Sequence, residues 1–107
     1  MNARLTLAAT AVALALARSA AADPAAWHEQ GLTEYERGHY ASAAAAFHRA
    51  ADEGDARSAE MLALMYRYGS RLYGDAFAGD AAEAKRWAAV AAERRQTRLV
   101  AKAAGRD

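Results

Sequence analysis

The chain has 107 residues, which is enough for one small domain, and its composition already excludes several kinds of protein. It contains no cysteine, so it has no disulfide framework, no thiolate nucleophile and no cysteine-based zinc site. Hydrophobic residues make up 54% but are mostly alanine, proline occurs once, and no run of alternating β-branched residues is visible, so we predict an all-α fold.

Residues 1–22 have the features of a secretory signal peptide. Arg4 supplies a short basic segment, and residues 5–17 form an uncharged, mostly apolar run that is too short to span a bilayer comfortably. Small residues at 20–22 favour cleavage before Asp23, which predicts a periplasmic or secreted protein. An uncleaved N-terminal anchor is the alternative for the same run.

Cleavage before Asp23 changes the charge of the chain. It removes Arg4 and Arg18, which leaves 12 of the 14 basic residues against 13 acidic ones and a net charge of −1. A near-neutral mature chain is not expected to bind nucleic acid.

The first two predicted helices form a hairpin. Asp23 suits the N-cap of a helix that runs from about Pro24 to Arg37, and Gly38 stops it. Along this helix Trp27, Gly31 and Tyr35 are spaced four residues apart and share one face. The second helix is predicted from about Tyr40 to Glu53, with Gly54 as its stop.

The next two predicted helices form a second hairpin with a longer connection. Asp55 caps a helix that runs to about Tyr68 and stops at Gly69. Residues 70–79 are predicted to be irregular, and Asp80 caps a fourth helix in which Glu83 completes a capping box. The apolar pattern of this helix fades after Glu93. The expected inner-face residues of the second to fourth helices are Ala43, Ala46, Phe47, Ala50, Ala51, Ala59, Leu62, Met65, Tyr66, Ala84, Trp87, Ala88, Ala91 and Ala92.

The two hairpins repeat one pattern. Tyr35 and Gly38 recur 31 residues later as Tyr66 and Gly69, and residues 43, 50 and 51 recur as alanines 41 residues later. We therefore predict a short α/α solenoid of about two helix-turn-helix repeats, with four helices in residues 23–93. Residues 94–107 are predicted to be a basic helix end or tail.

The residues of these hairpins resemble a known family. Ala43-x-x-x-Phe47-x-x-Ala50 looks like a tetratricopeptide hairpin, and the run from Ala50 to Gly69 is similar to the Sel1-like repeat. The resemblance implies a solenoid used as an adaptor or scaffold, with no shared catalytic residue. Ala63 departs from the family glycine, loop 70–79 is longer than usual, and two units are fewer than such stacks normally need.

The sequence contains no motif for catalysis or for a cofactor. It lacks a nucleophile elbow, a phosphate-binding loop and a His-Glu-x-x-His metal motif, so we predict no enzyme and no cofactor. His28, His39 and His48 are not spaced four apart on one helix, and we expect ordinary surface or boundary histidines. A metal or haem carrier that uses these histidines is a third, weaker hypothesis.

The expected function is that of an exported, non-enzymatic adaptor that binds an unidentified protein. Its rival is a membrane-surface protein held by the uncleaved N-terminus or by the basic tail. A two-unit stack leaves one helical face open, which we expect a partner, a second copy or loop 70–79 to cover. The predicted docking residues lie in a groove between the first and third helices and in that loop. They are Trp27, Tyr35, Met61, Met65, Leu72, Tyr73 and Phe77.

Overall fold

The structure is a computed structural model that describes residues 23–105. Of these residues 83% are helical and none lies in a strand, which confirms the predicted all-α fold. The expected signal peptide, residues 1–22, lies outside the described residues, and so do the last two residues of the chain.

The first hairpin consists of α1, Pro24–Glu36, and α2, Tyr40–Asp52. The Asp23 side chain accepts a hydrogen bond from the Ala25 amide at 3.0 Å and caps α1. Gly38 has φ +79°, a conformation that glycine adopts without strain, so the chain turns there. Both helices match their predicted bounds to within one residue.

The second hairpin begins with α3, Ala56–Tyr68, which Asp55 caps by accepting from the Ser58 amide at 3.0 Å. The connection that follows is more regular than predicted. It contains a short helix, α4, Ser70–Tyr73, and a 3₁₀ turn, Gly74–Ala76. Gly69 is required where this segment returns, because a side chain there would overlap the backbone of Gly79.

The last helix, α5, covers Ala81–Ala103 and is longer than predicted. The apolar pattern does fade after Glu93, but the helix continues for ten more residues without interruption. Residues 94–103 contain neither glycine nor proline and are mostly good helix formers. The loss of apolar periodicity therefore marks the end of packing, not the end of the helix.

The predicted capping box at the start of α5 is only half formed. The Asp80 side chain accepts from the amides of Ala82 and Glu83, as expected for an N-cap. The Glu83 carboxylate instead accepts from Trp87, and the Asp80 amide donates to the Tyr66 carbonyl at 2.9 Å. That last bond ties the start of α5 to the end of α3.

The core joins the two hairpins along α2 and α3. Gly31 allows a close approach of α1 and α2, since a Cβ atom there would lie 2.5 Å from the Phe47 ring. Every residue predicted for the inner faces of α2 and α3 is buried, except that Tyr66 is half-buried. The core residues with the least exposure are Ala43, Phe47, Ala50, Ala51, Ala59, Leu62 and Met65.

The predicted inner face of α5 is correct in part. Trp87 and Ala91 are buried and Ala84 is half-buried, whereas Ala88 and Ala92 are exposed. Helical spacing alone predicts these two alanines on the apolar face, and their repeat equivalents, Phe47 and Ala51, are indeed buried. α2 packs against two helices, α1 and α3, and Phe47 lies against Gly31 of α1, whereas within residues 23–105 α5 packs mainly against α3.

Candidate functional site

The predicted groove between the first and third helices is largely filled. His28 of α1 and Ser58 of α3 share a buried hydrogen bond of 2.7 Å, and Met65 is fully buried. Trp27 lies against α2, where the Arg49 guanidinium sits 4.5 Å above its ring. Met61 is half-buried and packs against the core. Because the Met65 side chain is fully buried, it is not available to a partner, and its predicted docking role is wrong.

The aromatic residues of loop 70–79 mostly fold back onto the domain. The Tyr73 hydroxyl lies 2.8 Å from the Tyr35 hydroxyl, and burial raises the pKa of Tyr73 well above its usual value. The Phe77 ring packs 5.0 Å from the Tyr66 ring. Leu72 is 55% exposed, so of the three predicted loop residues only Leu72 is available to a partner through most of its side chain.

His28 is a core residue, and its prediction as a surface or boundary residue is wrong. It is 5% exposed, and burial lowers its pKa, with the Arg57 guanidinium adding to that effect. The sequence already indicates that His28 faces the core. It precedes Gly31 by three residues and Tyr35 by seven, so it shares their face of the helix.

His28, Ser58 and Asp55 have the residue types of a catalytic triad but not its geometry. The Ser58 hydroxyl and the Asp55 carboxylate both face Nδ1 of the ring, at 2.7 and 4.0 Å, so the imidazole cannot relay a proton between them. Ser58 is also fully buried, away from any substrate. The cluster joins α1 to the start of α3 and has a structural role.

An open groove lies between α3 and α5, where we had not predicted a site. Its volume is about 670 Å³. Small residues from both helices and the loop line it, and we call these small residues its floor; the other lining residues are large or charged. The lining residues are Glu60, Ala63, Leu64, Tyr66, Arg67, Tyr68, Gly79, Asp80, Ala81, Ala84, Lys85 and Ala88.

The repeat explains why this groove is open. Shifted by 41 residues, Ala43, Ala44 and Phe47 of α2 correspond to Ala84, Lys85 and Ala88 of α5. The three α2 residues are at most 4% exposed, because α2 packs against α1, where Phe47 meets Gly31, and also against α3. Their three α5 equivalents line the groove instead. The groove is therefore the place where the first helix of a third repeat would pack.

The charges in the groove are unevenly distributed along its length. At one end Glu60 forms an ion pair with Arg95 of α5. At the other end, next to the Asp80–Tyr66 backbone bond, lie Arg67 and Lys85, and neither has an acidic partner within residues 23–105. Asp80 also lines this end, so Arg67, Lys85 and Asp80 together carry a net charge of +1 there.

Exposed apolar residues are concentrated on the second unit. The large apolar side chains exposed in the described part of the chain all follow residue 63, and two of them line the groove. They are Leu64 at 40%, Tyr68 at 37%, Leu72 at 55%, Leu99 at 60% and Val100 at 58%. The first hairpin has none, so the two ends of the stack differ in how much large apolar side chain they expose.

Within residues 23–105, no group of three or more histidine, aspartate and glutamate side chains is placed to hold a metal ion. In the same range no helix is both long enough and apolar enough to cross a membrane. No family model, curated protein sequence or solved structure matches the chain.

Proposed function

We propose that the chain is an exported, non-enzymatic adaptor or scaffold that binds another protein through its helical-repeat surface. The observation that carries this proposal is the open groove between α3 and α5, with its alanine floor and partly exposed Leu64 and Tyr68. Apolar patches rimmed by polar residues are typical of interaction sites. The equivalent groove of the first unit already receives a helix, namely α3.

We also propose that the domain is a Sel1-like or tetratricopeptide-like repeat and that it works in the periplasm. Two features support the repeat assignment. The first is the pair of sequence offsets, 31 and 41 residues, and the second is the matching burial of His28 with Ala59, of Gly31 with Leu62, and of Ala50 with Ala91. The apolar run at 5–17, followed by small residues at 20–22, supports export. An intact mass that begins at Asp23 in protein isolated from source cells would test export directly.

The protein-binding function is tested by cross-linking from inside the groove. A photo-reactive phenylalanine analogue replaces Ala88, which lines the groove, and in the matched control it replaces the neighbouring Ala89, which is exposed but outside the groove. We expect one protein to cross-link in source cells through position 88 and not through position 89. That protein is then purified and titrated against the full chain.

Saturable binding that is lost on Ala88→Arg and retained on Ala89→Arg would support the proposal. Equal cross-linking from both positions, or a purified protein that does not bind, would contradict it. Both variants change exposed residues, so helicity should remain the same.

A membrane-surface role is the second candidate, and one observation favours it. Leu99 and Val100 are exposed on the last turns of α5, among Arg95, Arg98 and Lys102. A basic helix with apolar residues on one side binds anionic lipid surfaces. Sedimentation with vesicles containing anionic lipid, compared with neutral vesicles, distinguishes this role, because Leu99→Ser should weaken lipid binding and leave groove binding unchanged.

A further inference from the structure

Lys85 introduces a charge where the first repeat has an apolar residue. Its equivalent, Ala44, is 4% exposed in the packed first unit. A helix that covered the second unit in the same way would bury the Lys85 ammonium group. Burying an unpaired ammonium group is costly, so the covering helix must bring an acceptor, and a carboxylate is the strongest one available.

Arg67 adds to this requirement. It lies on the same end of the groove as Lys85, because the start of α5 is bonded to the end of α3 through Asp80 and Tyr66. The nearby Asp80 carboxylate accepts the two amides of its own helix cap, which leaves its negative charge in place, so Arg67, Lys85 and Asp80 together carry a net charge of +1. Two basic groups without ion-pair partners therefore face whatever occupies this end.

The first unit also indicates the direction of the occupant. α2 and α3 are consecutive helices joined by a short turn, so they run antiparallel. A helix that lies on α5 as α3 lies on α2 runs antiparallel to α5. Since Lys85 is in the second turn of α5, the C-terminal half of the occupant lies beside it.

The floor of the groove indicates large apolar side chains on the occupant. Ala88 stands at the position of Phe47, and Ala63 at the position of Leu32, so both helices present smaller residues than in the first unit. Close packing against such a floor needs leucine, methionine or an aromatic residue at spacings of three and four.

A second copy of the chain does not offer such a helix. The free side of α1 carries alanine and polar residues, and the first hairpin exposes no large apolar side chain. A copy stacked head to tail would bring acidic residues, since α1 carries Glu29, Glu34 and Glu36, but no exposed large apolar side chain with which to fill the groove. The chemistry of the groove favours another protein.

We propose that the groove between α3 and α5 receives an amphipathic α-helix of another protein, antiparallel to α5, with large apolar residues on the floor and an acidic side chain opposite Lys85. This inference rests on the proposed protein-binding function and specifies the partner's chemistry. The helix completes the stack in the way that the first helix of a third repeat would.

The test uses two labelled helical peptides of about 14 residues, each held helical by a side-chain staple. Both carry leucine at spacings of three and four, and they differ only in having glutamate or lysine in the C-terminal half. Fluorescence anisotropy measures the binding of each to the full chain. We expect the glutamate peptide to bind about tenfold more tightly, and Lys85→Glu to reverse that preference. Lys102→Glu, on the same helix but outside the groove, serves as the charge control.

The possible outcomes separate this inference from the proposed function. If both peptides bind equally and Ala88→Arg abolishes both, the acidic-partner inference is wrong and the docking function stands. If neither peptide binds, the groove does not receive a helix of this kind and the inference fails, while cross-linking from position 88 decides the function separately. If the chain self-associates and Ala88→Arg makes it monomeric, a second copy is the occupant and the inference is overturned.

Discussion

The hydroxyls of Tyr35 and Tyr73 lie 2.8 Å apart and connect α1 to α4 across 38 residues of sequence. The Tyr40 ring packs against both of them, at 5.2 Å from Tyr35 and 4.7 Å from Tyr73. The glycine-rich connection after α3 is thus held on the core by a cluster of three tyrosines. Part of the connection is therefore packed into the domain, and we expect the stability of the domain to depend on it.

Truncating Tyr73 should destabilise the domain strongly. Tyr73 is 5% exposed, so Tyr73→Ala leaves a cavity against α1 and α2 and should cost about 3–5 kcal/mol, as for other large aromatic residues. Tyr73→Phe removes only the hydroxyl and should cost about 1 kcal/mol. Urea unfolding followed by circular dichroism measures both values.

Leu72 provides the matched control for this prediction. It is the neighbouring residue, but it is 55% exposed, so Leu72→Ala should change stability by less than about 0.5 kcal/mol. Equal effects of Tyr73→Ala and Leu72→Ala would mean that the loop does not pack as described.

Gly31→Ala should also destabilise the domain. The added methyl group would lie 2.5 Å from the Phe47 ring, and overpacking of this kind costs about 1–3 kcal/mol. The better helix propensity of alanine offsets up to about 1 kcal/mol of that cost. Combining Gly31→Ala with Phe47→Leu should recover stability relative to the sum of the two single changes. A double-mutant cycle measures this coupling, and strict additivity would show that the two residues do not touch.

His28 makes the stability of the domain depend on pH. Because its pKa is lower in the folded state than the usual 6.5, the unfolded chain binds more protons just below that pH. Stability should therefore be highest above pH 6.5 and fall as the pH drops through 6.5, until the folded-state pKa is passed. Thermal unfolding at several pH values between 5 and 8 measures the slope.

Two histidine variants test this assignment. His28→Gln keeps a hydrogen-bonding group near Ser58 but does not titrate, so it should remove most of the slope in this window. His39→Gln changes an exposed histidine and should leave the slope in place. A slope that persists in His28→Gln would place its origin elsewhere in the chain.

The sequence was sufficient to predict the helices and most of the core. Asp23, Asp55, Asp80 and the glycines after each helix are local signals, so they fixed helix bounds without tertiary information. The alanine and glycine pattern likewise identified the buried faces of α2 and α3. Local spacing was enough because the helices that pack against these faces are adjacent to them in the sequence.

The candidate site was harder to predict, because it depends on which neighbour is missing. Spacing places Ala84 and Ala88 on an apolar face, as it does Ala43 and Phe47, but it does not tell whether a helix covers that face. The spacing predicts Met65 as a buried inner-face residue, which is correct, and only its additional assignment to the docking surface is wrong. Lys85 was the available clue, since it breaks the repeat at a position that is buried in the first unit.

The C-terminal turns of α5 should open easily. Arg94 donates a hydrogen bond to the Ala51 carbonyl and Arg95 pairs with Glu60, and beyond them every described residue of the helix is exposed. Without tertiary contacts, a helix end of this length is marginally stable, so its amides should exchange at least about 100-fold faster than those in the middle of α3. Hydrogen exchange measured by NMR compares the two segments, with Leu62 as the protected reference. Protection at Leu99 and Val100 that rises with protein concentration would show instead that a second molecule covers this end of the helix.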